Sequence, residues 1–210
     1  MSIDIDGTLT RVHGWEYLAA STGKLHRFEV ANRRYLAGGV TEDQHLTELV
    51  DLATGLSESE VDRALAATPR LSGIREAIAL LHEREVVVAL LTHNPPYVCE
   101  WYAKQFGFDD YEGTQGSSIS RGVVTAPHGI HADKVVGMGR LLERHGIHPQ
   151  AALHAGDGPP DAAVFPTVGG GVALNSKWPR VRALADATLD ADDLRELVTV
   201  IDRLPSRPIR

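Results

Sequence analysis

The stretch SIDIDGTLT, Ser2 to Thr10, sets two carboxylates one residue apart and follows them with a glycine and hydroxyls. If the segment is a strand, alternation sends Asp4 and Asp6 to the same side. Two like charges are then crowded. Such crowding is costly unless a cation, a shared proton or a reaction makes use of it. More acids follow in GDGPPD, where Asp157 and Asp161 bracket glycine and proline. Thr92, at the end of an apolar run, and Lys134, in the first turn of an expected helix, add a hydroxyl and a compact positive charge.

These residues need elements to bring them together. Between Arg11 and Pro69 the sequence reads as helices only, with capping boxes in TEDQ (Thr41 to Gln44) and SESE (Ser57 to Glu60). The glycines in AGG, Ala37 to Gly39, end the helix before them. From Ser72 onward helices and strands alternate, and Ser72 is placed to cap the helix carrying Ile74, Ala77, Ile78 and Leu81. VVVALL, Val86 to Leu91, suits a strand buried on both faces. Pro95 and Pro96 open the next helix, SISRGVVT reads as a hairpin, and a further helix spans roughly 132–144. AALHA and GVAL supply later strands. Alternating strand and helix implies an α/β fold, a Rossmann-like doubly wound parallel sheet with helices on both faces. Ligands of such sheets bind at the carboxyl ends of the strands, where Asp4, Asp6, Thr92, Asp157 and Asp161 fall.

The bulk numbers agree with a globular protein. The chain has 210 residues, 43% hydrophobic and 23% charged, enough for one core with a modest insertion. A net charge of −7 argues against a nucleic-acid binder. The single cysteine, Cys99, excludes an internal disulfide and reads as a packed small residue. No basic lead with an apolar run marks the N-terminus, and no apolar stretch approaches membrane-spanning length. The expectation is a cytoplasmic protein without membrane or nucleic-acid partners, a monomer or homodimer. With only three residues before Asp4, the first strand is short, and a start upstream of Met1 is one explanation. The Pro- and Arg-rich tail LPSRPIR is expected to fray.

DIDGTLT (Asp4 to Thr10), Thr92, Lys134 and GDGPPD (Gly156 to Asp161), in that order, resemble the four motifs of the haloacid dehalogenase superfamily of phosphohydrolases. The helical insert resembles the cap of its phosphoserine-phosphatase-like branch. The resemblance implies a catalytic core of residues 1–10 and 72–204 with an all-helical cap over 11–71, inserted after the first strand. It also implies Mg²⁺, held by Asp4, Asp157 and the backbone carbonyl of Asp6. The residue types suit that chemistry, because a phosphate dianion repels carboxylates and a divalent cation must screen them. Asp4 would attack phosphorus to give an aspartyl-phosphate. Asp6 would protonate the leaving alkoxide and then deprotonate the attacking water. Gly7, Thr8, Thr92 and Lys134 would bind the phosphoryl oxygens, and Asp161 would orient Lys134 or a metal-bound water.

Departures from the branch concern the substrate. THNPP puts His93 and Asn94 where the family carries small residues, so one or both are expected to touch phosphate or substrate. His13 stands where phosphoserine phosphatases use a glutamate, with Glu16 one turn later, and TEDQHLTELVDL lacks the arginine that would bind a carboxylate. Arg33 and Arg34 join His13 and Glu16 as polar cap residues. The expected partner is a small phosphomonoester with a hydroxylated leaving group, and phosphoserine is expected to be a poor substrate. A phosphotransferase or mutase, and phosphoserine phosphatase itself, are the alternatives. A non-catalytic scaffold is disfavoured by the retention of Asp4, Asp6, Lys134 and Asp157. The histidines of HGIHADK (His128, His131) and RHGIH (His145, His148) lack a zinc constellation and read as surface residues. Trp15, Tyr17 and Tyr35 read as core, with room for one at the pocket.

Overall fold

The computed structural model describes residues 1–125 and 132–204. The chain enters through β1 (Ser2–Ile3) and then forms helices α1 (Gly14–Ser21), α2 (Leu25–Leu36), α3 (Glu42–Ala53) and α4 (Glu58–Ala67). Next come α5 (Ile74–His82), β2 (Ala89–Leu91), α6 (Pro96–Phe106), β3 (Asp110–Glu112), and the strands β4 (Ser118–Ser120) and β5 (Val123–Thr125). The remainder is α7 (Lys134–His145), β6 (Leu153–Gly156), α8 (Pro159–Val164), β7 (Gly170–Leu174), α9 (Pro179–Leu184), β8 (Ala187–Leu189) and α10 (Arg195–Ile201).

Among the described residues the strands form a six-stranded parallel sheet, order β3-β2-β1-β6-β7-β8, and a two-stranded ribbon of β4 and β5. Alternation along β2 shows how both faces fill. Leu90 joins the cluster built with α5, α6 and α10, whereas Ala89 and Leu91 join Met138, Leu141 and Val164 on the opposite face. Each fully buried leucine contributes on the order of 1.5–3 kcal/mol. The sheet grows from β1 to β2 and β3 on one side and to β6, β7 and β8 on the other. A switch point therefore lies between β1 and β6, and the crevice at its carboxyl end is the natural ligand site.

Local signals in the helical block act as the sequence implies. Thr41 with Gln44, and Ser57 with Glu60, form complete capping boxes. The block leaves and rejoins the sheet side by side, with Arg11 N–H donating to Pro69 O at 2.9 Å and Leu71 N–H to Leu9 O at 2.9 Å.

Two local expectations change. Ser72 is not the cap of α5. Its hydroxyl donates to Asp192 O at 3.0 Å, and Gly73, at φ +66°, takes the cap position. The strand in VVVALL is confined to Ala89–Leu91, because Val88 N–H donates to the Asp109 side chain at 2.7 Å instead of to a strand. The hairpin of SISRGVVT forms as expected, turning at Arg121 and Gly122, both at positive φ, and it docks on the helical block. Val124 is buried, and its backbone pairs with Gly55 and Leu56 of the helical block at 3.0 and 2.8 Å. The tail from Pro205 and the pair His128 and His131 lie outside the described residues.

Candidate active site

Register brings the acids together. Ile3 lies opposite Ala155, and Asp4 N–H donates to Ala155 O at 2.9 Å, so Asp4 leaves β1 where β6 ends and Asp157 follows. Gly7, at φ +77°, makes the turn, and a Cβ there would come within 2.5 Å of the Asp157 carboxylate. Only glycine lets the backbone of the first motif approach the second this closely. The Thr8 hydroxyl donates to Asp157 Oδ1 at 3.1 Å, and the Ser176 hydroxyl donates to Asp157 O at 2.6 Å.

Lys134 lies between two carboxylates, with Nζ 2.9 Å from Asp4 Oδ1 and 2.6 Å from Asp161 Oδ1. All three residues are buried. Its position at the start of α7 comes from Asp133, which caps the helix by accepting from Val135 and Val136 N–H. Burial acts to lower the Lys134 pKa, but Asp161 and Asp4 outweigh it and hold the ammonium above its ordinary range. For Asp161, burial acts upward, while Lys134 and then His154 hold the carboxylate well below the usual range. Burial pushes the Asp4 carboxyl up, and Lys134 opposes the shift. Among the described residues Asp157 has no such cation at contact distance, and burial, then Asp4 and Asp161, outweigh the more distant Lys134 and push its pKa to about 8.

That imbalance bears on a metal. Ligand oxygens of Asp4, Asp157 and Asp161 lie within 4.8 Å of one another. Asp161 already accepts from Lys134 and His154 through Oδ1, and from Gly158 N–H through Oδ2. Asp4 and Asp157 keep ligand capacity, and their crowded charge lacks full compensation. This all-oxygen, surplus-acid donor set fits a hard divalent cation such as Mg²⁺.

Asp6 is held apart from this cluster. Its Oδ1 accepts from Gly14 N–H at 2.6 Å, at the N-terminus of α1, and its Oδ2 accepts from Asn94 Nδ2 at 3.0 Å. Helix N-termini favour negative charge. The same Asn94 amide donates to Thr92 Oγ1 at 3.0 Å, so Asn94 ties the first motif to the end of β2.

A cavity of about 680 Å³ opens over these groups. Asp4, Asp6, Gly7, Thr92, His93, Lys134, Asp157 and Asp161 form its lower wall, and Trp15, Asn32, Tyr35, Glu42, His45 and Leu49 come from the helical block. The sequence-derived candidates therefore separate. His13 lines the cavity, with Nδ1 3.4 Å from Asp6 Oδ2. Glu16 is half-buried on α1, and Arg33 and Arg34 are exposed on α2; none of the three is a lining residue. Thr8 and Asn94 are buried beneath the lining and act through Asp157, Asp6 and Thr92. His93 reaches across the cavity, its Nδ1 3.0 Å from Glu42 Oε1. Trp15 and Tyr35 do border the cavity. His145 pairs with Asp110 at 2.9 Å, away from the site.

Two residues escape sequence reasoning. His154 is fully buried on β6, with Nε2 2.9 Å from Asp161 Oδ1 and Nδ1 2.9 Å from Ser2 Oγ. It extends the Asp4–Lys134–Asp161 chain to the sheet interior, and a polar residue in AALHA is its only sequence signal. His45, buried on α3 and stacked on Tyr35 at 4.5 Å, is visible only as a polar position within an apolar helix face.

Comparison with known proteins places this geometry. Residues 2–169 match the model of the haloacid dehalogenase-like hydrolases. The phosphoserine phosphatase of Methanocaldococcus jannaschii is 24% identical over 202 residues, 94% of this chain and 95% of its own. A substrate-bound phosphoserine phosphatase structure superposes with a TM-score of 0.79 at 20% identity, over 95% of this chain and 96% of the other. A haloacid dehalogenase family hydrolase from Salmonella enterica superposes with a TM-score of 0.85 at 15% identity, over 96% of this chain and 70% of the other.

Proposed function

The chain belongs to the haloacid dehalogenase-like hydrolases and is a phosphatase of that family, and from that premise we propose that it hydrolyses a small phosphomonoester through an aspartyl-phosphate on Asp4. The observation that carries this reading is Lys134 Nζ between Asp4 and Asp161, at 2.9 and 2.6 Å, on the floor of the cavity. Asp4 is the nucleophile, and its carboxylate oxygen forms the bond to phosphorus as the ester oxygen leaves. Asp6, held by Gly14 N–H and Asn94, gives its proton to that oxygen. It then takes a proton from the water that hydrolyses the intermediate, which restores Asp4 and releases phosphate. Thr92 and Lys134 donate to the phosphoryl oxygens, and Asp161 with His154 holds Lys134 in place. When bound, Mg²⁺ would be held by Asp4, Asp157 and the Asp6 backbone carbonyl, and it would neutralise charge shared by these acids and the phosphoryl group. Residues 11–71 serve as the cap over this site, consistent with the lining that helices α1 to α3 supply.

Specificity departs from that of the curated relatives named phosphoserine phosphatase. No lining residue from helices α1 to α4 is a lysine or arginine; besides Lys134 the lining cations are Arg11, which precedes α1 and pairs with Asp192 at 2.5 Å, and Lys177, which lies outside the helical block. A substrate carboxylate enclosed here would lack a cation from the helical block, which is costly. Phosphoserine is therefore a poor substrate. Phosphate release from sugar, nucleoside and amino-acid phosphates, measured with Mg²⁺ and with an Asp4→Asn control, tests the reading. Release that Asp4→Asn abolishes is expected. No release from any ester, or full turnover by the variant, would contradict it. An added alcohol acceptor in the same assay reveals a phosphotransferase by a transferred product.

A further inference from the structure

The upper part of the cavity carries more polar capacity than the protein itself satisfies. His45, His93 and His13 all line it. Among the described residues, His45 Nδ1 and His93 Nε2 are buried with no hydrogen-bond partner, and His13 Nδ1 has only its 3.4 Å contact with Asp6. Buried polar atoms are almost always paired, so unpaired ones on residues that line one cavity mark where a ligand completes them. We propose that these imidazoles form a hydrogen-bonding wall that reads hydroxyl groups on an uncharged leaving group, so that the substrate is the phosphate monoester of a sugar or another polyol. The proposal rests on the phosphatase reading above and adds its substrate class.

The ring chemistry favours hydroxyls over charged groups. His45 is 5% exposed and stacked parallel to Tyr35, with ring planes 3° apart, so its orientation is fixed. Burial, then His13, lowers its pKa to about 4, and the ring is neutral at physiological pH. His93 contacts Glu42 through Nδ1 at 3.0 Å, which places a proton on Nδ1 and leaves Nε2 for a ligand group. A hydroxyl can donate to such a nitrogen or accept from its protonated counterpart, whereas a carboxylate can only accept. A substrate ammonium would have to compete for Glu42, which already serves His93 and lies beside Tyr35. Leu46 and Leu49 add apolar surface to the same cavity, which suits the C–H faces of a polyol.

The test compares kcat/KM for hexose, pentose, glycerol and inositol phosphates with that for their deoxy analogues, phosphoserine and phenyl phosphate. In the wild-type enzyme a polyol phosphate is expected to be best, and removing the hydroxyl that is read should cost at least ~10-fold, since a site built for a hydroxyl rejects its absence strongly. In His45→Leu and His93→Leu the ratio of polyol phosphate to phenyl phosphate should fall at least ~10-fold. His45→Asn and His93→Gln, which return a polar atom near Nδ1 and Nε2, should restore part of it. If His45→Leu does not fold, the His93 variants and the deoxy comparison decide. Phosphoserine or phenyl phosphate as the best substrate, or an unchanged ratio in the folded leucine variants, overturns the proposal alone. No Asp4-dependent release from any ester, phenyl phosphate included, overturns the phosphatase reading and this proposal with it.

Discussion

Replacing Lys134 by methionine keeps the side chain's length and removes its charge. In the wild-type protein Nζ sits 2.9 Å from Asp4 and 2.6 Å from Asp161. Both carboxylates are buried, so losing the ammonium leaves like charges facing each other out of water. Breaking a buried ion pair from one side costs about 3–5 kcal/mol, because a charge remains without a partner. With a urea m-value of about 2 kcal/mol/M, that cost moves the unfolding midpoint down by ~1.5–2.5 M. Turnover falls as well, since a preorganised charge at the phosphoryl group is lost, and one such donor is worth about 10²–10³ in kcat. Adding Asp161→Asn should recover ~0.5–3 kcal/mol of the stability by removing one uncompensated charge, although not the activity. Urea melts followed by circular dichroism, with single-turnover phosphate release, read both quantities. A midpoint within ~0.3 M of wild type, or kcat within about threefold, would refute the assignment of Lys134 as the central cation.

Two further predictions concern the same floor. In metal-free protein the fold keeps the Asp157 proton to about pH 8, against the ordinary aspartate value of 3.8. The folded state then binds more protons than the unfolded chain between those values, so stability falls as pH rises through that window. Partial solvation of Asp157 reduces the effect to roughly 1–3 kcal/mol. Thermal melts should show the metal-free protein more stable at pH 5.5 than at pH 8, and Mg²⁺ should raise Tm more at pH 8; equal metal shifts at both values would count against the shared Asp4–Asp157 site. His154→Leu leaves Asp161 Oδ1 and Ser2 Oγ each short of a partner, at a cost of about 1–3 kcal/mol. It should lower kcat with little change in KM, and His154→Gln should recover part of kcat; a change confined to KM would argue against His154 as a positioning residue for Lys134.

What the sequence disclosed depended on the range of the interaction. The capping boxes at Thr41 and Ser57 close within three residues, so spacing alone reveals them. Asp4, Asp6, Asp157 and Asp161 were legible as strand-end acids because strand and helix alternate, and β1 beside β6 brings Asp4 and Asp157 together; Lys134 stood out only through the order of the four motifs and the resemblance they carry. Ser72 misled because a hydroxyl in front of a helix resembles a cap, whereas the Asp192 carbonyl, far along the chain, takes its proton. The VVVALL run overstated its strand for a similar reason: a β-branched run does not reveal that the Asp109 side chain intercepts Val88 N–H. The partnerships of His154 with Ser2, of His93 with Glu42 and of Asn94 with Asp6 span between 51 and 152 positions, and no local pattern encodes them. Docking of the β4–β5 ribbon against Gly55 and Leu56 belongs to the same class.

The most direct measurement is the location of phosphorus during turnover. Enzyme mixed with a turned-over phosphomonoester and Mg²⁺, quenched in acid within the first turnover and mapped by peptide mass spectrometry, should carry one phosphoryl group on the peptide that contains Asp4, and the Asp4→Asn variant should carry none. Phosphate release that proceeds at full rate with no phosphorylated peptide, or with the label on another residue, would contradict the account.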